Sequence, residues 1–303
     1  MTALTVGIAT RNRQASLRRC VASLRLLGPA VTHVVVFDDR SDPPVTLEGL
    51  GEAAAGLPLQ IVRGSGHIGG RDRMVREAPT ECVLLLDDDA VVLDAQGIFE
   101  GCRAMDTDPS LGAVAFAQGE GDGRRWPEAM QPARASGPVL IPAYIGFAHL
   151  VRRSSFVAGG GYRASLDYYG EEKDFCIRLM DAGFHVLYLP HALVGHVPDP
   201  AGRDTSRFVR HLVRNDCLTS LYSDPLPYAL ASVPLRFWRY TRMVREMPGR
   251  DAGGLRWILQ SLVRELPAVV RGRRAVSYKT MRRWRRLTRR PEPYQAPVRG
   301  AAT

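Results

Sequence analysis

The chain opens with short apolar runs separated by helical patterns. Leu4–Thr10, Val31–Phe37, Leu59–Val62 and Cys82–Leu86 have the length and residue types of strands. Between them Gln14–Leu27 sets Leu17, Val21 and Leu24 on one helical face, and a further helical piece surrounds Arg71–Glu77. Runs such as VVVF and VLLL are apolar at consecutive positions, not at every second one. Such strands are covered on both faces, which predicts an α/β fold, doubly wound in outline: a mostly parallel sheet with helices on either side.

The pattern then changes. Gln118–Pro142 carries eight glycines and prolines, from Gly119 to Pro142, too many for a long regular element, and reads as a mobile loop able to cover a site. Ile145–Val151 reads as a strand, Glu171–Ala182 as a helix ended by Gly183, and Phe184–Leu189 as a strand stopped by Pro190. Beyond about residue 205 the chain is expected to be helical to its end. There Leu255, Ile258, Leu259, Leu262, Val263 and Leu266 form an apolar stripe expected to pack on the preceding domain.

Charge sharpens this division. The formal net charge is +10. Residues 201–303 hold 22 Lys/Arg against 7 Asp/Glu, and residues 1–200 hold 19 against 24, so a mildly acidic body carries a basic C-terminal third. Arg271-Gly272-Arg273-Arg274 and the run Met281–Arg290, with Trp284 and Leu287, suit an anionic membrane surface. Nucleic acid is the less favoured partner, because no zinc-finger, RRM or KH signature accompanies the charge. Five scattered cysteines without a CxxC pair indicate neither a disulfide framework nor a zinc site. With no signal-peptide pattern and no long apolar span, the expected location is the cytoplasm, peripheral at the inner face of the cell membrane.

Candidate chemistry gathers at strand ends. Asp87-Asp88-Asp89 follows the apolar run VLLL, where open α/β sheets bind ligands, and three adjacent carboxylates call for a compensating cation. Mg²⁺ or Mn²⁺ bridging to a diphosphate is the natural one, and a solvated Asp-rich turn is the alternative. Asp38-Asp39 follows VVVF in the same way. A carboxylate there suits the N3–H of a uracil or thymine ring, although an Asx turn running on through Ser41 accounts for it equally well. Gly64–Gly69 matches G-x-G-x-x-G but follows the third strand, which makes a dinucleotide fingerprint a weak reading. Glu171, Glu172 and Asp174 open a helix, where carboxylates are ordinary capping residues. With Asp174 free to pair with Arg178 one turn on, Glu171 or Glu172 is left for general-base work. His196 would add a neutral ligand to an oxygen-rich metal site, and His191 has an equal claim on composition.

The succession ATRNR, FDDRSD, HIGGRDRMVREAP, LLLDDDA, FAHLVRRSSFVAGGGY, YYGEEKDFCIRLMDAGFHVLYLP and ALVGH resembles family 2 glycosyltransferases of the GT-A fold, in their rhamnosyltransferase-like branch, over roughly residues 3–220. The resemblance implies a catalytic domain over 1–204, with a nucleotide-sugar half to about residue 90 and an acceptor half from about 91, and a basic helical region over 205–303. It implies a UDP- or dTDP-sugar donor, a glycan, lipid-linked or small-molecule acceptor, and Mn²⁺ or Mg²⁺. Carried onto this chain, Thr10 and Arg11 border the nucleotide, Asp39 reads the pyrimidine, and Arg71, Asp87 and Asp88 contact the donor. Asp89, with Asp87 and His196, falls to the metal. The family's Glu-Asp pair, whose second member is the usual base, falls on Glu171-Glu172, one methylene longer. The family's Ala-Arg-Asn reads Gly70-Arg71-Asp72 here. The implied reaction is an inverting single displacement, and Trp126 and the strand bearing His149 are expected to shape the acceptor side. A sugar nucleotidyltransferase would share sheet and metal, and a non-enzymatic nucleic-acid binder would use the basic third.

Overall fold

The computed structural model describes residues 3–198, 204–246, 251 and 253–297. In chain order the first half runs β1 (Leu4–Thr10), α1 (Gln14–Ser23), β2 (Val31–Asp38), α2 (Leu47–Leu50), β3 (Leu59–Arg63), α3 (His67–Arg76), β4 (Cys82–Asp87), β5 (Ala90–Val92) and α4 (Ala95–Thr107). Then come β6 (Leu111–Gly119), β7 (Val139–Ile141), β8 (Ala148–Arg152), α5 (Arg153–Ala158), α6 (Glu171–Asp181) and β9 (His185–His196). The chain continues with α7 (Thr205–Ser223), α8 (Leu226–Glu246), α9 (Gly254–Gly272), α10 (Tyr278–Arg289) and β10 (Glu292–Pro293).

One sheet runs through the body in the order β10-β7-β9-β6-β8-β4-β1-β2-β3. Strands β4, β1, β2 and β3 are parallel, as are β6 and β9, while β8 lies antiparallel between β4 and β6. The consecutive apolar runs serve both faces, as read from the sequence. Leu84 and Leu86 of β4 join Leu17 of α1 and Ile98 of α4 on one side, and Val83 and Leu85 join Met74 of α3, Phe156 of α5 and Phe175 of α6 on the other. The parallel strands end together, so the loops after β1, β2 and β4 crowd one edge, the site rule for such sheets.

Several expectations are corrected. Pro190 does not stop its strand: the pairing of β9 with β6 jumps from Leu189 to Leu193, and the bulge absorbs the missing N–H. The Gln118–Pro142 segment is pinned, because Gln118 and Gln131 are buried and exchange hydrogen bonds of 2.9 Å, and Gln131 Nε2 also donates to the Trp126 carbonyl. The chain does not stay helical to its end, since β10 pairs with β7. On α10, Leu287 is buried and Trp284 packs into the body, so these side chains do not face a membrane. The stripe on α9 divides: Ile258 and Leu262 are buried against α7, while Leu255, Leu259, Val263 and Leu266 are exposed.

Candidate functional site

The loops at the strand ends are knitted together before any ligand is considered. Asp39 N donates to the Thr10 carbonyl (2.9 Å), Asn12 N to Ser41 Oγ (2.9 Å) and Asp42 N to Asn12 Oδ1 (2.8 Å). The two carboxylates after β2 divide their work. Asp38 is buried and closes an Asx turn, accepting from Ser41 N at 2.8 Å and Val45 N at 3.2 Å. Burial pushes its pKa up, but these hydrogen bonds and Arg63 hold it below the ordinary value. Asp39 instead turns to the cleft, where its Oδ1 takes the Gly66 N–H at 2.9 Å. Gly66, at φ +91°, allows that approach. Gly70 has no room for a side chain, since a Cβ would lie 2.3 Å from the Phe37 ring. The glycine motif therefore seats α3 against β2 and presents Ser65, Gly66 and His67 to the cleft.

The cleft measures about 510 Å³. Thr10, Arg11, Asp39, Arg71, Asp87, Asp88, Glu171 and Glu172, all expected from the sequence, line it together. Asp89 and His196 do not line it. They adjoin it through Arg13, a cleft residue whose Nη1 donates to Asp88 Oδ1 and Asp89 Oδ2 at 3.2 Å each. Asp88 also accepts from the Thr10 hydroxyl at 2.7 Å. Burial still raises its pKa to about 6.

His196 is sandwiched between Trp126 and Phe147, with ring centroids 5.0 and 4.9 Å away. Gln118 points its amide nitrogen at the Met130 carbonyl, so its Oε1 accepts from His196 Nδ1–H at 2.8 Å. This tautomer leaves Nε2 as a lone pair 3.4 Å from Asp89 Oδ1. His196 and Asp89 thus offer two ligand types to a cation, without a group of three or more His, Cys, Asp or Glu among the described residues, and a second-shell amide that fixes the imidazole is the usual support of a metal ligand. Trp126 and His149 do not line the cleft. Trp126 covers His196, and His149 is fully buried, stacked on Tyr144 at 3.9 Å and 3.1 Å from the Tyr162 hydroxyl. His191 pairs with Glu100 on the surface.

Across the cleft, α6 begins at Gly170 with Glu171 and Glu172 in its first turn. Asp174 is consumed by ion pairs with Arg178 at 2.6 Å and Arg163 at 3.1 Å. Glu171 is buried and its Oε2 has no hydrogen-bond partner among the described residues. Burial, then the neighbouring Glu172, holds its pKa well above the ordinary carboxylate range. Glu172 lies against the backbone of Gly146, where a Cβ would strike its Oε1. Burial raises its pKa too, and Arg71 opposes the rise.

The sequence reading missed several residues that tertiary packing delivers. Arg207 of α7 reaches the cleft together with Arg13, Arg40, His67, Tyr168 and Tyr169. His67 is held neutral, with burial and then Arg71 lowering its pKa to about 4. The Tyr168-Tyr169 segment is pinned by α7: Asn215 Nδ2 donates to both carbonyls, at 2.8 and 2.6 Å, and Arg207 lies over the Tyr168 ring.

Residues 5–160 match the model of Glycosyl transferase family 2. The chain belongs to this family. It is 32% identical over 207 residues to the pre-mycofactocin glycosyltransferase of Mycobacterium tuberculosis, covering 64% of this chain and 42% of that protein. The chain thus spans less than half the length of the curated relatives it matches. Its fold is shared by S. aureus TarS 1–349 (TM-score 0.60, 16% identity, 89% of this chain and 83% of that one). It is also shared by GalNAc-T7 solved with UDP, GalNAc and Mn²⁺ (0.59, 18%, 88% and 58%). A third such structure is the mannosyltransferase PcManGT from Pyrobaculum calidifontis with GDP-Man and Mn²⁺ (0.55, 14%, 93% and 78%). The family 2 chain is therefore a GT-A glycosyltransferase in fold.

Proposed function

We propose that this family 2 chain transfers a sugar from a UDP- or dTDP-sugar to a hydroxyl group of a glycan, lipid-linked or small-molecule acceptor, with inversion and with Mn²⁺ or Mg²⁺. The observation that carries the reading is the buried Glu171-Glu172 pair facing Thr10, Asp87 and Asp88 across one cleft, with Arg71 between them. Asp39, its Oδ1 already fixed by Gly66, offers Oδ2 to the imide N3–H of the base. Thr10 and Arg11 border the nucleotide, and Asp87 and Asp88 face its ribose and diphosphate. Arg11, Arg13, Arg40 and Arg207 surround the same space with positive charge, which suits a diphosphate.

Asp89 and His196 are the residues that would hold the metal, while Asp87, paired with Arg71 at 2.6 Å, lines the cleft and forms no three-residue ligand group with them among the described residues. When bound, the ion neutralises the charge of the departing nucleoside diphosphate. Glu172, held by Gly146 at the cleft surface, takes the proton of the attacking hydroxyl. Glu171, less exposed and unpartnered at Oε2 among the described residues, is kept protonated by burial and by the neighbouring Glu172, and its hydrogen bond to Glu172 favours the ionised form of the base. A single base and a single displacement give inversion. We place the enzyme in the cytoplasm, peripheral to the inner face of the membrane.

A thermal-shift series with UDP, dTDP, GDP and ATP, with and without Mn²⁺, tests the reading. Metal-dependent stabilisation by UDP or dTDP is expected. A response to a nucleoside triphosphate with a sugar phosphate, and pyrophosphate release, would instead identify a nucleotidyltransferase.

A further inference from the structure

The membrane contact expected from the sequence lay on the basic run of α10, yet the apolar side chains there are turned inward, Leu287 being 2% exposed. The exposed apolar surface lies elsewhere. On α9, Leu255, Leu259, Val263, Leu266 and Val270 recur every three or four residues along one face, with Val263 64% and Val270 77% exposed. Further round the same helix lie exposed Arg256, Arg264 and Arg271. Helix α8 presents Leu226, Leu230 and Trp238 at four- and eight-residue steps, Leu230 being 73% exposed, and then exposed Arg239 and Arg245 toward its C-terminus.

The acidic residues described on and beside these helices are already engaged. Glu265 pairs with Arg214, Asp251 with Arg210 and Glu246 with Arg242. What remains outward is apolar and cationic. We infer that α8 and α9 form the surface by which this chain docks on an anionic lipid bilayer, the aliphatic stripes and Trp238 entering the interface and the arginines meeting lipid phosphates. The inference rests on the membrane-peripheral placement proposed above and moves the contact from α10 to α8 and α9.

Among the described residues no helix is long and apolar enough to cross a membrane, so these helices would lie in the interface. A second copy of the chain fits less well, because an isologous pairing would bring the same arginines against each other. Helix α7 ties the surface to the cleft, packing on α9 and carrying Arg207 to the site. Docking therefore brings the cleft close to an acceptor carried in the membrane.

The test is co-sedimentation of the full chain with phosphatidylcholine vesicles, with and without phosphatidylglycerol. Binding is expected only with phosphatidylglycerol and should weaken as salt rises. Leu259→Glu with Val263→Glu, and independently Leu230→Glu, should each reduce partitioning at least about ten-fold. Arg282→Glu with Arg289→Glu on α10 should change it by no more than about two-fold. Binding that survives both apolar-face variants and is lost in the α10 variant would overturn the surface while leaving membrane association standing. Wild-type chain that stays in the supernatant with every vesicle would remove the membrane placement itself. A dimer abolished by the same apolar-face variants, with no vesicle binding, would assign the face to a second copy and overturn the proposal.

Discussion

Arg71 Nη1 donates to Asp87 Oδ1 at 2.6 Å, while Nη2 of the same buried guanidinium donates to the Gly146 carbonyl at 2.6 Å. One side chain thus joins α3, the end of β4 and the turn that supports Glu172. Arg71→Met should leave Asp87 without its cation and a buried carbonyl without its donor, costing about 3 kcal/mol in denaturant unfolding. Arg71→Lys should recover only part of this, because one ammonium does not reproduce the forked geometry. A lysine variant as stable as wild type would show that the fork is idle.

Glu172→Gln should lower transfer to acceptor by about 10²- to 10⁴-fold while donor affinity, measured by calorimetry, stays within a few-fold. Glu171→Gln should cost less, since its part is to tune its neighbour. The reverse ranking would make Glu171 the base.

The same pair sets the pH response. Both carboxyls have folded pKa values above the ordinary one, burial being the chief cause, so the base form is lost earlier than usual on acidification. The acid limb of kcat/KM should therefore lie above the ordinary glutamate range. For stability the sign is opposite. A raised folded pKa means that the folded state binds the proton more tightly, so stability falls as pH rises from the unfolded value through the folded one. Glu171→Gln removes this titration, and its Tm should exceed that of wild type at neutral pH while the two converge toward pH 4. A variant that melts lower at every pH would show that the carboxylate is satisfied after all.

How much of this was legible in the sequence depends on what each feature answers to. β1 and β4 were readable because both of their faces are buried, and Asp39 and Asp87 because they end such strands. Arg207 and the Tyr168-Tyr169 segment were not, since only the packing of α7 brings them to the cleft. Periodicity marked an apolar face on α9, but that face is wider than α7 can cover, and no local pattern says which half is left exposed. On α10 the arginines drew attention to charge, while Met281 and Leu287 were already committed to the body. His149 and Trp126 sat in the right segments, but one fills the core and the other covers His196.

Asn215 lies within the basic C-terminal region yet donates to the carbonyls of Tyr168 and Tyr169, and Tyr169 holds a left-handed φ of +63°. Such a conformation in a non-glycine residue persists only where its surroundings impose it. Asn215→Ala should destabilise the chain by about 1–3 kcal/mol. Under saturating donor it should raise the acceptor KM more than it lowers kcat. An unchanged acceptor KM would remove this segment from the acceptor side.

Gln118 tests the metal assignment without touching a ligand. Its amide oxygen fixes the His196 tautomer in which Nε2 faces Asp89. Gln118→Glu should keep an acceptor at Nδ1, whereas Gln118→Leu should let the imidazole choose either tautomer. Loss of such a second-shell partner typically weakens metal affinity by about 10- to 100-fold. Mn²⁺ titration followed by electron paramagnetic resonance should therefore show weaker binding in Gln118→Leu and in His196→Ala, and recovery in Gln118→Glu. The Tm without metal should fall only modestly in His196→Ala, because Trp126 and Phe147 lose a stacking partner and no buried charge is uncovered. If chelation with EDTA leaves nucleotide stabilisation intact in the wild type, the diphosphate is instead held by Arg11, Arg13, Arg40 and Arg207. Those arginines are then the positions to substitute, and Arg13, which already bridges Asp88 and Asp89, should have the largest effect.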